Sequence, residues 1–298
     1  MRGHAHGKII LIGEHSVVYG HPAIAMPFEA GSVVCRLEKG SGDWLASRFH
    51  EGPLESAGAL FNPIKTLIHT LQEELGIGPF IHRLRSDIPV GAGLGSSAAI
   101  AAAVIRAYYN EAHIALDDER LFDWIQFSET RAHENPSGID ALTVMHEDPW
   151  FFTKTHKEPI ETTLGAYLVI ADTLERTATK KAVAHVARHK GTDLFNTAME
   201  TLKNRVIASR SALEEENIQT LAEAMNDAMK ALVSLGLSTP AINAFIATAK
   251  LNGALAAKLT GGGMGGCIIA LCENETIAHE VRNGLKKNFK TKTWITRI

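Results

Sequence analysis

An α/β (α+β) protein with two domains is the architecture that the sequence predicts. Short apolar runs typical of buried strands are interspersed with longer stretches whose apolar residues recur every three or four positions, which is the spacing of amphipathic helices. The 298 residues, 45% of them hydrophobic, suffice to bury more than one core. Because the character of the sequence changes after residues 150–152, we expect an N-terminal domain over 1–158 and a C-terminal domain over 159–298.

The N-terminal half contains several predicted strands and helices. The strands are expected at Lys8–Ile12, Ala23–Pro27, Ser32–Leu37 and Phe80–Ile88. Apolar residues on one face predict helices over about 62–75 and 118–132, and the alanine-rich stretch after Ser97 is strongly helix-prone. A short helix is expected after Asn135-Pro136, because Asn suits the cap and Pro suits the first helical position.

The C-terminal half predicts a second mixture of strands and helices. A strand at Tyr167–Ala171 is followed by two long amphipathic helices, through residues 195–206 and 218–232. The chain then continues as a helix over Ala241–Leu251, a glycine run, a strand at Cys267–Leu271, a helix over about Ile277–Asn288 and a strand at Lys292–Ile298. This order is typical of α+β or split βαβ topologies.

The stretch Pro89–Ala99 carries the strongest functional signal. Three glycines within five positions let the backbone approach a ligand closely, because no Cβ intervenes. Two serines and the alanine-rich helix follow, and the first N–H groups of a helix are unpaired at the positive end of its dipole. We therefore interpret the loop as a phosphate cradle rather than a tight turn before a core helix. The residues expected to bind the nucleotide are Pro89, Gly91, Ala92, Gly93, Leu94, Gly95, Ser96, Ser97 and Ala98.

Three commoner phosphate-binding motifs do not fit. A P-loop would have Lys and then Ser or Thr after its last glycine, whereas Gly95 is followed by two serines. The run Gly261–Gly266 fits G-x-G-x-x-G by letter, but a predicted helix precedes it and an apolar strand follows, which reverses the dinucleotide-binding context. The protein-kinase signature is absent.

Composition limits the classes of partner. The 30 basic and 33 acidic residues form no block of like charge, and no apolar run reaches the ~18 residues of a membrane span. The N-terminal residues lack the apolar core of a signal peptide, and we expect no metal site built from the histidines. Cys35, Cys267 and Cys272 are scattered, as expected in a reducing cytoplasm. We expect a cytoplasmic monomer or homodimer that acts on a small molecule, without nucleic-acid or membrane partners.

Three segments together resemble the motifs of the small-molecule kinase superfamily that includes galactokinase, homoserine kinase, mevalonate kinase and phosphomevalonate kinase. They are Gly7–Gly20, Pro89–Ala99 and Lys258–Leu271. The first segment, GKIILIGEHSVVYG, and the element NPSGID at Asn135–Asp140 are similar to the mevalonate kinases in particular. So are Ala171–Thr173, Thr179-Lys180 and Thr293–Ile295. The resemblance covers essentially the whole chain, and the compact length is similar to the bacterial members.

The resemblance implies a two-domain kinase fold and a set of site residues. The N-terminal domain would contain a left-handed βαβ unit, the C-terminal domain would be ferredoxin-like, and the site would lie in the cleft between them. Lys8 and Asp140 match the catalytic Lys and Asp of the family, while Ser97 and Glu129 match its Mg²⁺ ligands. The residues implied at the substrate are Glu14, His15, Asp140, Thr179 and Gly262.

The implied reaction is transfer of the γ-phosphate of ATP to the 5-hydroxyl of mevalonate, with Mg²⁺, in isoprenoid biosynthesis. The alternatives are a related kinase acting on phosphomevalonate, homoserine or galactose, a diphosphomevalonate decarboxylase, or a nucleotide-binding regulator without activity. The presence of both Lys8 and Asp140 disfavours the regulator, and Ser16–Val18 stands where a galactokinase would have Asp. The sequence leaves open whether Asp140 is a base or only orients the alcohol.

One segment departs from the family pattern. Related bacterial sequences have glycines between Asp172 and Thr179, where this chain has Leu174 and Thr177. The conformation of this loop, and with it the role of Thr179, has to come from the structure.

Overall fold

The structure, a computed structural model, describes residues 1–132 and 136–298. These residues form two compact units, each assembled from several segments of the chain. Unit 1 comprises Met1–Lys8, Pro27–Val90 and Gly95–Glu147, and unit 2 comprises Ile9–Met26, Gly91–Leu94 and Asp148–Ile298. The domain boundary between 158 and 159 stays a prediction, and the expected helix cap Asn135 lies outside the described residues.

Unit 1 contains strands of a mixed β-sheet, with both antiparallel and parallel neighbours. The strands involved are β3 (Trp44–Ala46), β4 (Glu51–Pro53) and β5 (Phe80–Ser86), with the parts of β1 (Arg2–Ile12) and β2 (Ala23–Lys39) that lie outside Ile9–Met26. Their order is β4-β3-β5-β2, and β1 also pairs with β2. The C-terminal part of β2 runs antiparallel to β5, with Val33 opposite Ser86, whereas β3 runs parallel to β5.

Four helices complete unit 1, with α2 at their centre. They are α1 (Asn62–Leu75), α2 (Ser96–Ala112), α3 (Asp118–Ala132) and α4 (Ile139–Met145). The alanine face of α2 is buried and packs against the other three helices. Small side chains let α2 approach β1 closely, since a Cβ added at Gly3 would overlap the backbone of Ala103. This packing fixes the position of the glycine-rich start of α2 next to β1.

Unit 2 has the ferredoxin-like arrangement that the resemblance implies. Its strands are β6 (Trp150–Phe152), β7 (Lys157–Pro159), β8 (Tyr167–Asp172), β9 (Ala256–Thr260), β10 (Cys267–Cys272) and β11 (Thr293–Arg297). Strand β6 pairs with the start of β2 and with β7, and the remaining strands form an antiparallel sheet in the order β11-β8-β10-β9. Because helices connect β8 to β9 and β10 to β11, the chain follows the βαββαβ path of that fold.

The helices of unit 2 are α5 (Thr179–Ala187), α6 (Asp193–Glu214), α7 (Ile218–Ser234), α8 (Pro240–Leu251) and α9 (Glu275–Asn288). Helices α6 and α7 pack along each other, and α7 and α8 cover the β-sheet. No helix within residues 1–132 and 136–298 is both long enough and apolar enough to cross a lipid bilayer.

The mixed α/β class is confirmed, and several element boundaries need correction. The two predicted strands around Pro27 are one strand, because the chain stays extended through that proline and through Gly31. Lys8 does not begin its strand but lies inside β1, whose first residues alternate between exposed and buried side chains. The glycine run after 260 is preceded by β9 rather than by a helix, and helix α5 is additional. No helix follows that run directly, so the dinucleotide-binding motif stays excluded.

Candidate active site

Lys8 and Asp140, the two residues expected to be catalytic, form an ion pair in unit 1. Lys8 lies on β1, Asp140 is the second residue of α4, and the Nζ and Oδ1 atoms are 2.9 Å apart. The Lys8 side chain is 7% exposed and that of Asp140 is 34% exposed, so the carboxylate is accessible from solvent while the ammonium lies beneath it. A charge-assisted contact of this kind fixes the orientation of the carboxylate.

The phosphate-cradle glycine Gly95 packs directly on Lys8. Gly95 has φ +69° and stands immediately before the first residue of α2. A Cβ added there would lie 2.6 Å from Lys8 Cγ, which is closer than real contacts allow. The half-buried Ser96 and Ser97 form the first turn of α2, where backbone N–H groups are available to an anion. Unit 1 therefore places an anion-binding helix start beside the lysine of the ion pair.

Ser97 and Glu129, the expected metal ligands, lie on neighbouring helices. Helices α2 and α3 pack together, and the short connection between them makes them antiparallel neighbours. The start of α2, with Ser97, and the end of α3, with Glu129, consequently lie at the same end of the pair. Glu129 is buried, and its carboxylate and the serine hydroxyl are hard oxygen donors suited to Mg²⁺.

No group of three or more His, Cys, Asp or Glu side chains that could hold a metal ion occurs within the described parts of the chain. A cation held by Ser97 and Glu129 would have these two protein ligands. Mg²⁺ commonly binds in this way, with one or two carboxylates and with substrate phosphates and water as its other ligands.

In unit 2, the loop Gly91–Leu94 contacts the second glycine run. A Cβ at Gly261 would lie 3.2 Å from Gly93 Cα, and one at Gly266 would lie 3.2 Å from the carbonyl oxygen of Ala92. The two loops thus touch through backbone atoms, which side chains at these positions would prevent. The packing of the run Gly261–Gly266 against the phosphate loop explains why glycines stand at these positions.

The turn after β1 presents Glu14 and His15, two of the expected substrate residues. Both are buried, and the His15 Nε2 lies 2.8 Å from the carbonyl oxygen of Gly262. Because a carbonyl oxygen only accepts, Nε2 carries the proton and Nδ1 is the acceptor nitrogen of the neutral ring. Burial lowers the pKa of His15, with the Gly262 hydrogen bond opposing it, so the ring is neutral near pH 7.

Glu14 is bound by a residue to which the sequence interpretation gave no role. Its Oε1 accepts a hydrogen bond from the Nζ of Lys258 on β9, and neither side chain has any exposed surface. A lysine beside small residues in an apolar stretch resembles an ordinary surface position, so no local signal distinguishes it. Lys258 is buried in the folded structure, where β9 pairs with β10 and packs against α7 and α8.

Thr179 and the segment before it border the second glycine run. Thr179 begins α5, and a Cβ at Gly262 would lie 3.5 Å from its Cα, so these two expected substrate residues are neighbours. Unlike Glu14, Thr179 is exposed.

The segment 173–177, whose conformation the sequence left open, is fastened to the same glycine run. The hydroxyls of Thr173 and Thr177 donate to the carbonyls of Gly266 and Met264, at 2.6 and 2.7 Å. Arg176 also forms a two-point contact with the buried Asp172 at the end of β8. Side-chain hydrogen bonds therefore hold this loop, and Leu174 adopts a left-handed conformation with φ +63°.

Comparison with known families first defines the class of protein. The family model described as GHMP kinases N terminal domain matches residues 62–147, and the one described as GHMP kinases C terminal matches residues 209–291. The chain is thus a kinase of the GHMP class, a group of phosphotransferase enzymes.

Individual relatives narrow the class. The mevalonate kinase of Aeropyrum pernix is 30% identical, with 96% of this chain and 91% of that protein covered, and the mevalonate kinase of Pyrococcus horikoshii is 32% identical, with 90% and 87% covered. The crystal structure of mevalonate kinase from Staphylococcus aureus MRSA252 superposes with a TM-score of 0.79 at 31% identity, covering 99% of this chain and 97% of that one. The chain belongs to the mevalonate kinase family of the GHMP kinases.

A more distant structure supports the fold. The L. major mevalonate kinase in complex with R-mevalonate superposes with a TM-score of 0.86 at 22% identity, covering 100% of this chain and 94% of that chain.

Proposed function

We propose that the protein is an ATP-dependent mevalonate kinase that converts mevalonate to 5-phosphomevalonate. The observation that carries the proposal is the Lys8–Asp140 ion pair at 2.9 Å, packed against the glycine that opens α2. An anion-binding helix start, a cation and a solvent-accessible carboxylate are the groups that phosphoryl transfer to an alcohol requires. The relatives named mevalonate kinase support the choice of alcohol.

In the proposed reaction, the 5-hydroxyl oxygen of mevalonate forms a bond to the γ-phosphorus of ATP. The bond from that phosphorus to the β–γ bridging oxygen breaks, and ADP leaves. Asp140 orients the hydroxyl and receives its proton, while the Lys8 ammonium compensates negative charge on the transferred phosphate. A weak base suffices, because a loose transition state transfers the hydroxyl proton late.

The residues around the ion pair would bind the nucleotide and its cation. Backbone N–H groups from Gly91 to Ala98 are proposed to hold the phosphates, and Pro89 leads into this loop. Ser97 and Glu129 would hold Mg²⁺, which when bound neutralises phosphate charge. On the substrate side, His15, Thr179 and Gly262 are proposed to line the mevalonate site.

The cellular setting is also part of the proposal. The three cysteines Cys35, Cys267 and Cys272 are buried free thiols, which supports a reducing cytoplasmic location. A monomer or a homodimer stays our prediction for the oligomeric state, and a sizing experiment would distinguish the two.

The decisive experiment measures ADP release by the purified protein with ATP, Mg²⁺ and one acceptor at a time. Mevalonate should support turnover, with a phosphomonoester product visible by ³¹P NMR. Phosphomevalonate, homoserine and galactose should support less than about a hundredth of that kcat/KM, which corresponds to about 2.7 kcal/mol of transition-state discrimination. Diphosphomevalonate tests for CO₂ release by the decarboxylase alternative. Faster turnover of any of these acceptors than of mevalonate would overturn the proposal.

A further inference from the structure

Strand β9 and the glycine run that follows it hold the segment Ile10–His15 at three points within unit 2. The Thr260 hydroxyl donates to the carbonyl of Ile10 at 2.9 Å and accepts from its N–H at 3.0 Å. Lys258 binds the carboxylate of Glu14, and the Gly262 carbonyl accepts from His15. Lys258 and Thr260 project from the same face of β9, because side chains two positions apart share a face of a strand. The turn is therefore fixed against a single strand and its loop.

The Lys258–Glu14 contact is the charged member of these three. Both side chains are fully buried, and the Lys258 Nζ also donates to the Leu259 carbonyl at 2.7 Å. An ammonium in an apolar interior is strongly disfavoured unless it is paired, and burial accordingly lowers the pKa of Lys258, with Glu14 opposing the shift. Breaking a buried pair by removing one partner is strongly destabilising, whereas replacing both partners by well-packed apolar residues of similar volume is often nearly neutral.

The complete burial of Glu14 argues against direct contact between its carboxylate and a ligand. Its neighbour His15 is held by the loop that also borders Thr179. The Glu14 carboxylate and Lys258 thus hold the turn from its buried side, while the His15 ring faces the glycine run.

We propose that Lys258 is a positioning residue of the substrate site, which acts through Glu14 to hold the turn Gly13–His15 in its substrate-binding arrangement. This inference rests on the proposed function, since the substrate concerned is mevalonate. The hydrogen bonds of Lys258 go to Glu14 and to the Leu259 carbonyl. Its loss should therefore affect mevalonate binding rather than ATP binding.

The test uses Lys258→Met, Glu14→Gln and the double variant, with Lys250→Met on the exposed end of α8 as the matched control. KM for mevalonate and KM for ATP are measured for each protein from pH 6.0 to 8.5. Lys258→Met should raise KM for mevalonate at least tenfold at the upper end of this range and change KM for ATP by less than twofold. The control should match the unsubstituted protein in both constants.

The pH dependence separates positioning from a general loss of structure. In Lys258→Met the buried Glu14 carboxylate has lost the charge of Lys258, so its pKa rises, and protonation at lower pH should bring KM for mevalonate down towards the value of the double variant. In Glu14→Gln the buried Lys258 has lost the Glu14 charge, so KM should fall towards the same value as pH rises and the lysine deprotonates. The double variant has lost the contact as well as both charges, so its KM for mevalonate should stay raised and should not follow either pH trend. His15 and His185, which faces it, are present in all five proteins, so the opposite pH trends of the two single variants report the substituted groups.

The outcomes are separable. An unsubstituted protein that does not phosphorylate mevalonate would refute the proposed function, and the inference with it. If that protein is active but Lys258→Met retains its KM for mevalonate, or the two single variants share one pH trend, the positioning role is wrong. A single variant that fails to fold at one end of the pH range is measured at the other end, where its buried group is neutral. If the single variants do not fold at either end, the double variant decides, since a KM for mevalonate equal to that of the unsubstituted protein would overturn the inference.

Discussion

Gly95→Ala should weaken catalysis much more than it weakens the fold. The new Cβ would lie 2.6 Å from Lys8 Cγ, so the lysine stem must shift by about 1 Å to restore contact distance. With only 7% of its side chain exposed, Lys8 has little free space, and its 2.9 Å contact with Asp140 would lengthen. A displacement of about 1 Å in an active site can lower the rate ~100-fold. We therefore expect kcat to fall by about two orders of magnitude.

The backbone contributes a separate and smaller effect. Alanine at φ +69° is disfavoured by about 1–2 kcal/mol, and the reduced freedom of the unfolded chain offsets about half of this. Gly191→Ala is a matched control, since Gly191 has φ +86° and no atom lies within 4 Å of the added Cβ. Both variants should lose similar unfolding free energy in urea titrations, but only Gly95→Ala should lose kcat in the ADP-release assay. Equal kcat in the two variants would refute the argument that Gly95 sets the position of Lys8.

Four further predictions concern single side chains. Lys8→Met should lower kcat at least ~100-fold, because it removes the charge that stabilises the transition state. The control Lys230→Met breaks an exposed ion pair and should leave kcat unchanged. A folded Lys8→Met variant with full activity would contradict the role of the charge. Asp140→Asn should also lose at least ~100-fold in kcat with its melting temperature nearly unchanged, and near-normal turnover would remove Asp140 from the mechanism. Glu129→Gln should shift the Mg²⁺ activation curve to higher concentration, and saturation at the normal concentration would argue against a metal ligand. His82 is buried, and burial is the main cause that lowers its pKa. Below about pH 6.5 the unfolded chain therefore binds a proton at this residue that the folded protein does not bind. The free energy of unfolding should consequently fall by up to about 1.4 kcal/mol per pH unit as the pH is lowered. His82→Gln should flatten urea-unfolding stability between pH 7.5 and 5.5, and an unchanged slope would show that His82 does not cause it.

Local sequence signals predicted the parts of the fold that depend on local physics. Helices α1 and α3 begin and end where their apolar periodicity does, and the helix after the first glycine loop begins at Ser96. The pairing of Lys8 with Asp140 was implied only by the family resemblance, because nothing in the spacing of two distant residues brings them together.

Features that depend on tertiary packing could not be read from the sequence. Strand β9 is buried along its whole length, so it lacks the alternation that identifies a half-exposed strand. Proline and glycine normally signal breaks, yet β2 continues through Pro27 and Gly31, and it pairs with β6 before them and with β5 after them. The ion pair between Arg176 and Asp172 forms because the loop folds back over the end of β8, and the sequence does not show this arrangement.

The ion pair Lys8–Asp140 of unit 1 and the ion pair Lys258–Glu14 of unit 2 differ in exposure, and the difference separates chemistry from positioning. A group that exchanges a proton with a substrate must be reachable, and the Asp140 carboxylate is about one-third exposed above its lysine. The Glu14 carboxylate has no exposed surface, so its lysine can act only by fixing the backbone around it. Since a buried pair is costly to break but contributes little net stability when intact, stability alone does not explain a fully buried Lys258. A precise placement of the turn that carries His15 does explain it.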